Sequence, residues 1–416
     1  MKGAIMPSKQ QIIDYFLTNK PQITQTIIAL VTEMVREKTI NVVPEKLPEF
    51  PFLQFRGEEY RVANIFKREL RKIGIPYQEF ARMEGRPNVI GYLGQNRSGR
   101  RLLVPAHMDI VPAGDGWQSD PFEVIEKDGK LFGRGTLDNK GPLAAIVAAA
   151  AVVKKLGLDQ SLAGEFQIAA LSDEEADAPE GNYGIGYLLD NQLINPTMAI
   201  VPDIGGNMQE IDVAEKGRTV IKITAIGKQA HGSTPEKGLN AVYMMAKLVQ
   251  QLENFRFDYQ VHPVLGHPTL NLGEIHGGAA PNIVPGQCTC FIDIRTTPGI
   301  TQSALQKQLE LLAAQVPGGN FSIEVLSWSE PHAIDPNNEV VQAIQKNAAE
   351  FLKIQAHAIG QGGGTYAKTL NLHGITAVGW GPGDDNAFHV ANEYIEIEQL
   401  VNFALMICLI AVDLVG

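Results

Sequence analysis

Residues 101–109 read RLLVPAHMD, an apolar run of strand length that stops on a histidine and an aspartate two positions apart. The same design recurs downstream. Residues 165–175, EFQIAALSDEE, end such a run on Ser-Asp-Glu-Glu, and residues 198–203, MAIVPD, end one on Asp203. Continuous apolar runs, rather than alternating ones, mark strands covered on both faces, as in a parallel sheet. In an open parallel sheet the strand carboxyl ends face a crevice, so polar residues placed there converge. A further strand is expected over Asn88 to Leu93, before the quoted stretch. Helix-period segments surround these runs: Lys9 to Lys38, Tyr60 to Ile73, and the Ala-rich Gly141 to Leu156, stopped by Gly157. Strands alternating with helices predict an α/β fold with a mostly parallel sheet.

The middle of the chain follows another rhythm. Strand Thr219 to Gly227, helix Asn240 to Phe255, strands Thr269 to His276 and Gln287 to Thr296, helix Thr301 to Gln315 and strand Phe321 to Trp328 give β-α-β-β-α-β. That order is the split βαβ pattern of a small ferredoxin-like domain. Helix Asn338 to Leu352 and strand Thr376 to Gly379 then resume the first pattern. Residues 216–328 are therefore expected as a domain inserted into a discontinuous one made of 1–215 and 329–416.

Composition narrows the function classes. The formal net charge is -11, from 46 acidic and 35 basic residues, with no long Lys/Arg run, which argues against a nucleic-acid partner held by phosphate contacts. The three cysteines, Cys288, Cys290 and Cys408, cannot build a disulfide framework and read as packing residues. The start, MKGAIMPSKQQ, lacks the apolar core of a secretory leader, which predicts a cytoplasmic protein. The most apolar stretch, Leu400 to Val415, is broken by Asn402 and Asp413, so a buried helix is expected there rather than a membrane span.

Chemistry gathers at the predicted strand ends. His107 and Asp109, Glu174 and Glu175, and Asp203 fall there; Asp138 enters the Ala-rich helix and His389 follows the last strand. Taken singly, each reads as a solvated loop residue or a satisfied core residue. Together, several carboxylates in one crevice would repel and raise one another's pKa unless a cation neutralised them. Two histidines and three carboxylates suit a pair of divalent ions, with one carboxylate bridging. Such a pair activates a water and polarises a carbonyl.

These segments, in this order, resemble the M20 metallopeptidases, a family of dipeptidases, carboxypeptidases, aminoacylases, acetylornithine deacetylase and succinyl-diaminopimelate desuccinylase. The likeness runs from AHMDIVP to NAFHVANE and includes the middle domain. It implies that His107 and Asp203 hold one ion, that Glu175 and His389 hold the other, and that Asp138, in GRGTLDNKG, bridges both. Zinc is the first expectation for both ions, with manganese and cobalt as alternatives. Glu174 would be the general base, and Asp109 would hydrogen-bond the far ring nitrogen of His107. The resemblance also implies a cis Asp138–Asn139 peptide.

In the inserted domain, His231 of GKQAHGSTPEKG would stabilise the oxyanion, reaching across a homodimer in dimeric relatives. Asn282, Arg295, Gly363, Gly364 and Thr365 would bind substrate, and an Arg fork beside backbone N–H groups suits a free carboxylate. The domain would thus act as lid and dimerisation element. The expected reaction is hydrolysis of an amide bond in a dipeptide or other small molecule, with no nucleic-acid or membrane partner. A dipeptidase-like enzyme is the first reading, from Asp203 and the Thr365-Tyr366 pair; an N-acyl-amino-acid deacylase is the alternative, from the compact inserted domain. A non-catalytic scaffold would show a damaged ligand set, and this set is complete. His262, His267, His276, His332, His357 and His373 are expected in structural or surface roles.

Overall fold

A computed structural model describes residues 9–41, 57–175 and 183–416. It divides into two compact units, one of 1–213, 334–359 and 365–416, the other of 214–333 and 360–364.

The first unit is an α/β sandwich. Its main sheet runs Tyr77–Ala81, Pro87–Gly94, Glu165–Leu171, Arg101–His107, Met198–Val201, Thr376–Gly379, then Glu210–Glu215. The four strands from Glu165–Leu171 to Thr376–Gly379 are parallel to one another, and the flanking strands Tyr77–Ala81, Pro87–Gly94 and Glu210–Glu215 are paired antiparallel. The parallel centre explains the apolar runs: six of the seven residues of Arg101–His107 are buried. Pro105 lacks a backbone donor, and pairing with Met198–Val201 is confined to Leu102 and Leu103, so the ladder opens on that side before the strand ends.

Helix Lys140–Lys155 is buried almost all round and packs against helices Ile397–Val415 and Lys9–Arg36. Its run of alanines lets backbones approach closely. The C-terminal helix begins three residues earlier than expected and, at 19 residues with mean hydropathy 1.9, is long and apolar enough to cross a membrane. Length alone therefore does not exclude a span. Its apolarity has another use here, since Phe403, Met406, Ile407, Leu409 and Ile410 are all fully buried in the core of this unit. Cys408 is buried there too, and all three cysteines are free.

The second unit is a four-stranded antiparallel sheet in the order Thr269–Gly277, Gln287–Thr296, Gly217–Ile226, Phe321–Ser329. Along Gly217–Ile226 buried residues alternate with half-buried ones, and the buried set packs with helices Ala241–Glu253 and Gln302–Ala314. The side chains of Asn240 and Thr301 accept backbone N–H groups at the two helix starts, which is why the chain turns from strand to helix there.

Candidate metal centre

Each acidic or imidazole group predicted at the strand ends is delivered by a local feature of the first unit. His107 is the last residue of Arg101–His107, beside Leu171 of the neighbouring parallel strand. Asp138 lies just before helix Lys140–Lys155, and the Asp138–Asn139 peptide is cis. Asp203 follows Met198–Val201, and Glu174 and Glu175 follow Glu165–Leu171. His389 takes a left-handed backbone, φ 58°, after the turn Asp385–Ala387.

The structure brings these six together. His107 Nε2 lies 2.8 Å from Asp138 Oδ1 and 3.4 Å from Asp203 Oδ1. His389 Nε2 lies 2.9 Å from Asp138 Oδ2 and 3.1 Å from Glu175 Oε2. Asp138 thus stands between the two imidazoles, one oxygen toward each. Donor atoms of His107, Glu174 and Asp203 lie within 4.8 Å of one another, as do those of His107, Asp138 and Glu175. Glu174 therefore sits at the edge of one donor set while being the neighbour of a member of the other.

The electrostatics of the cluster are those of a cation site. Burial pushes the Glu174 carboxyl well above its usual range, with Asp203 adding to the effect. Burial likewise lifts Glu175 to about 8, with Asp138 reinforcing it against His389, and raises Asp203. Asp138 goes the other way: burial opposes ionisation, but His107 and His389 outweigh it. Burial alone would depress His107, yet the Asp203 and Asp138 carboxylates hold it well above the usual imidazole range. Hydrogen bonds to Asp138 and Glu175 raise His389 to about 10. Four carboxylates and two imidazoles can reach their ligand forms together, acids ionised and rings neutral, only if positive charge is supplied. Glu175 Oε1 is buried without a hydrogen-bond partner among the described residues, an acceptor in search of such a charge.

Asp109 is arranged differently from expectation. The far nitrogen of His107, Nδ1, donates to the Asp109 backbone carbonyl at 2.9 Å, while the carboxylate is 3.6 Å away. The carboxylate instead accepts the backbone N–H groups of Glu174 and Glu175, both at 3.0 Å to Oδ2, and the Asn41 amide at 2.7 Å. One residue thus fixes the His107 tautomer through its main chain and the Glu174–Glu175 loop through its side chain.

The remaining predicted residues lie apart from this cluster in sequence and mostly in the second unit. His231 Nδ1 accepts the Ser233 backbone N–H at 3.1 Å, which leaves the donor of the neutral ring on Nε2. Gly232 N donates to Asn282 O at 2.8 Å, so the His231 loop and Asn282 are neighbours. Arg295 pairs with Asp293 at 2.8 Å and donates to Gly362 O at 3.1 Å, next to Gly363 and Gly364. Thr365 belongs to the first unit, where its hydroxyl caps helix Tyr366–Leu372.

Several supporting residues were not foreseen. Glu393 accepts backbone N–H groups from the loop before Asp138 and pairs with Arg134 at 2.6 Å, both buried. Buried Arg86 joins Glu59 at 2.6 Å and Asp173 at 2.9 Å behind the Glu174–Glu175 loop. Arg134 and Glu393 lie inside the stretches GRGTLDNKG and HVANE, so a signal existed for them; Asn41, Glu59 and Arg86 have none that a single sequence displays.

Comparison with known proteins agrees with this geometry. The sequence model of peptidase family M20/M25/M40 matches residues 103–413. An uncharacterized metallohydrolase of Methanocaldococcus jannaschii is 30% identical over 384 residues, covering 83% of this chain and 87% of that protein. Among solved structures, aminopeptidase PepT from Bacillus cereus superposes with a TM-score of 0.76 at 22% identity, covering 94% of this chain and 99% of the other. A tripeptidase from Staphylococcus aureus gives 0.70 at 22% identity, covering 94% and 98%. Likeness at this identity speaks for the fold.

Proposed function

Because the chain belongs to peptidase family M20/M25/M40 and is a metal-dependent amide-bond hydrolase, we propose that it is a dipeptidase-like enzyme acting on small substrates with a free carboxylate. The observation that carries this is Asp138 standing between His107 and His389, within hydrogen-bond distance of both. His107 and Asp203 would hold one divalent ion, Glu175 and His389 a second, and Asp138 both; zinc suits this mixed N/O donor set. When bound, the ions would lower the pKa of the attacking water and polarise the scissile carbonyl.

The protein's own residues supply the rest. The Glu174 carboxylate takes a proton from the attacking water as its oxygen bonds to the carbonyl carbon, then returns it to the nitrogen as the C–N bond breaks. Asp109 keeps Glu174 in place by accepting its backbone N–H. His231, with its ring donor on Nε2, stabilises the oxyanion, and Arg295 with Asn282, Gly363, Gly364 and Thr365 recognises the carboxylate. Homodimerisation through the second unit and a cytoplasmic setting belong to the same proposal. Asp203 and the Thr365-Tyr366 pair favour a dipeptide. The small second unit, 214–333 with 360–364, is the one observation that favours N-acyl amino acids.

A panel of dipeptides with N-acetyl and N-succinyl amino acids, offered to zinc-loaded protein, tests the substrate class; faster cleavage of the acylated compounds would reverse the choice. Glu174→Gln should keep its metal content and lose turnover by at least about 100-fold. Turnover equal to the parent's would remove Glu174 from the role of base.

A further inference from the structure

Glu393 is placed where one side chain governs two of the proposed ligands. Its Oε1 accepts the backbone N–H of Gly135 at 2.9 Å, of Leu137 at 2.9 Å and of Asp138 itself at 3.2 Å. Its Oε2 takes the Arg134 guanidinium at 2.6 Å, and its backbone carbonyl accepts Gly133 N–H at 3.0 Å. The loop leading to Asp138 is thus wrapped around a single buried carboxylate. That carboxylate lies four residues beyond His389, on the segment that carries the second imidazole. Segments more than 250 positions apart in sequence are joined at this point.

Most other proposed ligands have supports of their own: His107 is oriented by the Asp109 carbonyl and the Glu174–Glu175 loop is held by Asp109, while Asp203 accepts the amide of Asn139, the residue after Asp138, at 2.9 Å. A rearrangement at Glu393 would therefore reach Asp138 and His389 first.

We infer that Glu393 is a positioning residue that sets the distance between Asp138 and His389, and so secures above all the ion held by Asp138, Glu175 and His389, two of whose three ligands it places against one of three for the other ion. The inference rests on the two-ion reading above. It assigns no contact with substrate to Glu393. Ligands delivered by separate chain segments stay at metal-binding distance only if something fixes those segments to each other, and losing such outer support typically weakens metal affinity 10–100-fold.

The test is a stepwise titration of the full-length chain, stripped of metal, with Zn²⁺ against a chelating indicator and with Co²⁺ followed by visible absorbance. Glu393→Asp keeps the charge and withdraws both oxygens. It is expected to weaken the second equivalent about 10–100-fold and the first, which shares only Asp138 with it, by much less. Glu393→Ala with Arg134→Met removes the acceptor without stranding a buried cation, and should show the same unequal loss. Glu393→Gln with Arg134→Met keeps an acceptor oxygen for the three N–H groups and should restore the second equivalent to within about threefold of the parent. A merely structural role would weaken both equivalents by the same factor, or lower the melting temperature of the metal-free chain while leaving their ratio unchanged. Either result overturns the inference, as does parental binding of both ions by Glu393→Asp. If the double alanine variant does not fold, Glu393→Asp and the glutamine pair decide. A parent that binds fewer than two ions per chain would instead bring down the two-ion reading itself.

Discussion

Two of the three loops that deliver carboxylates to the cluster are fastened by buried charge, but with different balance. Behind Asp138, one carboxylate meets one guanidinium: Glu393 pairs with Arg134 and has three backbone donors besides. Behind Glu174 and Glu175, a single guanidinium serves Glu59 and Asp173 and also feels Asp109, the carboxylate that anchors the loop. Asp173 is held there in a left-handed backbone, φ 63°, which a non-glycine residue adopts only when its surroundings enforce it. Lys140 lies between the two systems; burial pushes its amine down to about 7 against the pull of carboxylates that include Asp109, Glu393 and Glu59. Among the described residues, the first loop matches one carboxylate with one guanidinium and three backbone donors, and the second gathers an excess of carboxylates around one guanidinium. Equal-looking supports should therefore fail unequally.

The largest expected difference is between the two arginines. Arg86→Met takes the guanidinium away from two buried carboxylates, and breaking a buried pair in this way typically destabilises by about 3–5 kcal/mol. Arg134→Met leaves Glu393 accepting its three N–H groups, so the loss should be nearer that of one charged hydrogen bond, about 1.5–3 kcal/mol. Urea denaturation of the two variants measures the gap. A larger loss for Arg134→Met would show that charge balance is not what distinguishes the loops.

Both loops respond to pH, since burial raises Glu393 from its ordinary 4.5 to about 7 against the pull of Arg134. Burial raises Glu59 from its ordinary 4.5 to about 7 as well, with Asp109 adding to the rise against Arg86. Between those values the folded chain binds a proton there that the unfolded chain has released, so this group's contribution to stability falls as pH rises and is constant above about 7. Glu59→Gln abolishes that titration. Relative to the parent, the variant should gain stability from pH 5 to 7, at up to about 1.4 kcal/mol per pH unit, and no more from 7 to 8. A gain that grows above pH 7, or one that runs in the other sense, would place the excess charge elsewhere.

The sequence shows the ligands and hides the Glu59–Arg86 support for one physical reason. His107, Glu174, Glu175 and Asp203 are announced by the apolar strands they terminate, and a parallel sheet must bring such ends to one edge. The small second unit was equally legible, because its strands alternate and its helices are capped by Asn240 and Thr301. Glu59 and Arg86 have no such frame: in sequence, each is a charged residue in a polar stretch, and nothing local says that both will be buried. Their meaning comes from partners 27 and more positions away. The return of 360–364 to the second unit is likewise unsignalled, since a glycine run carries no side-chain pattern to assign it. Strands such as Tyr77–Ala81 and Glu210–Glu215 escape because polar and acidic residues interrupt their apolar runs.

Tyr366 offers the finest probe of the contrast. Its hydroxyl donates to the Ser172 carbonyl at 3.0 Å, two residues before Glu174, and its ring is buried. Burial holds the phenol well above its usual range, with Asp109 and Glu174 adding to it, so the group is a neutral donor and contributes no charge to the excess. Tyr366→Phe keeps the ring and removes only that donor. The loss should be about 0.5–1.5 kcal/mol, the ordinary worth of one neutral hydrogen bond, and independent of pH between 5 and 8. It should also leave both zinc equivalents within about threefold of the parent, because Asp109 still holds the loop through two backbone N–H groups. If this variant instead lost a zinc equivalent while Arg86→Met kept both, the Glu174–Glu175 loop would owe its position to the tyrosine rather than to the charges behind it.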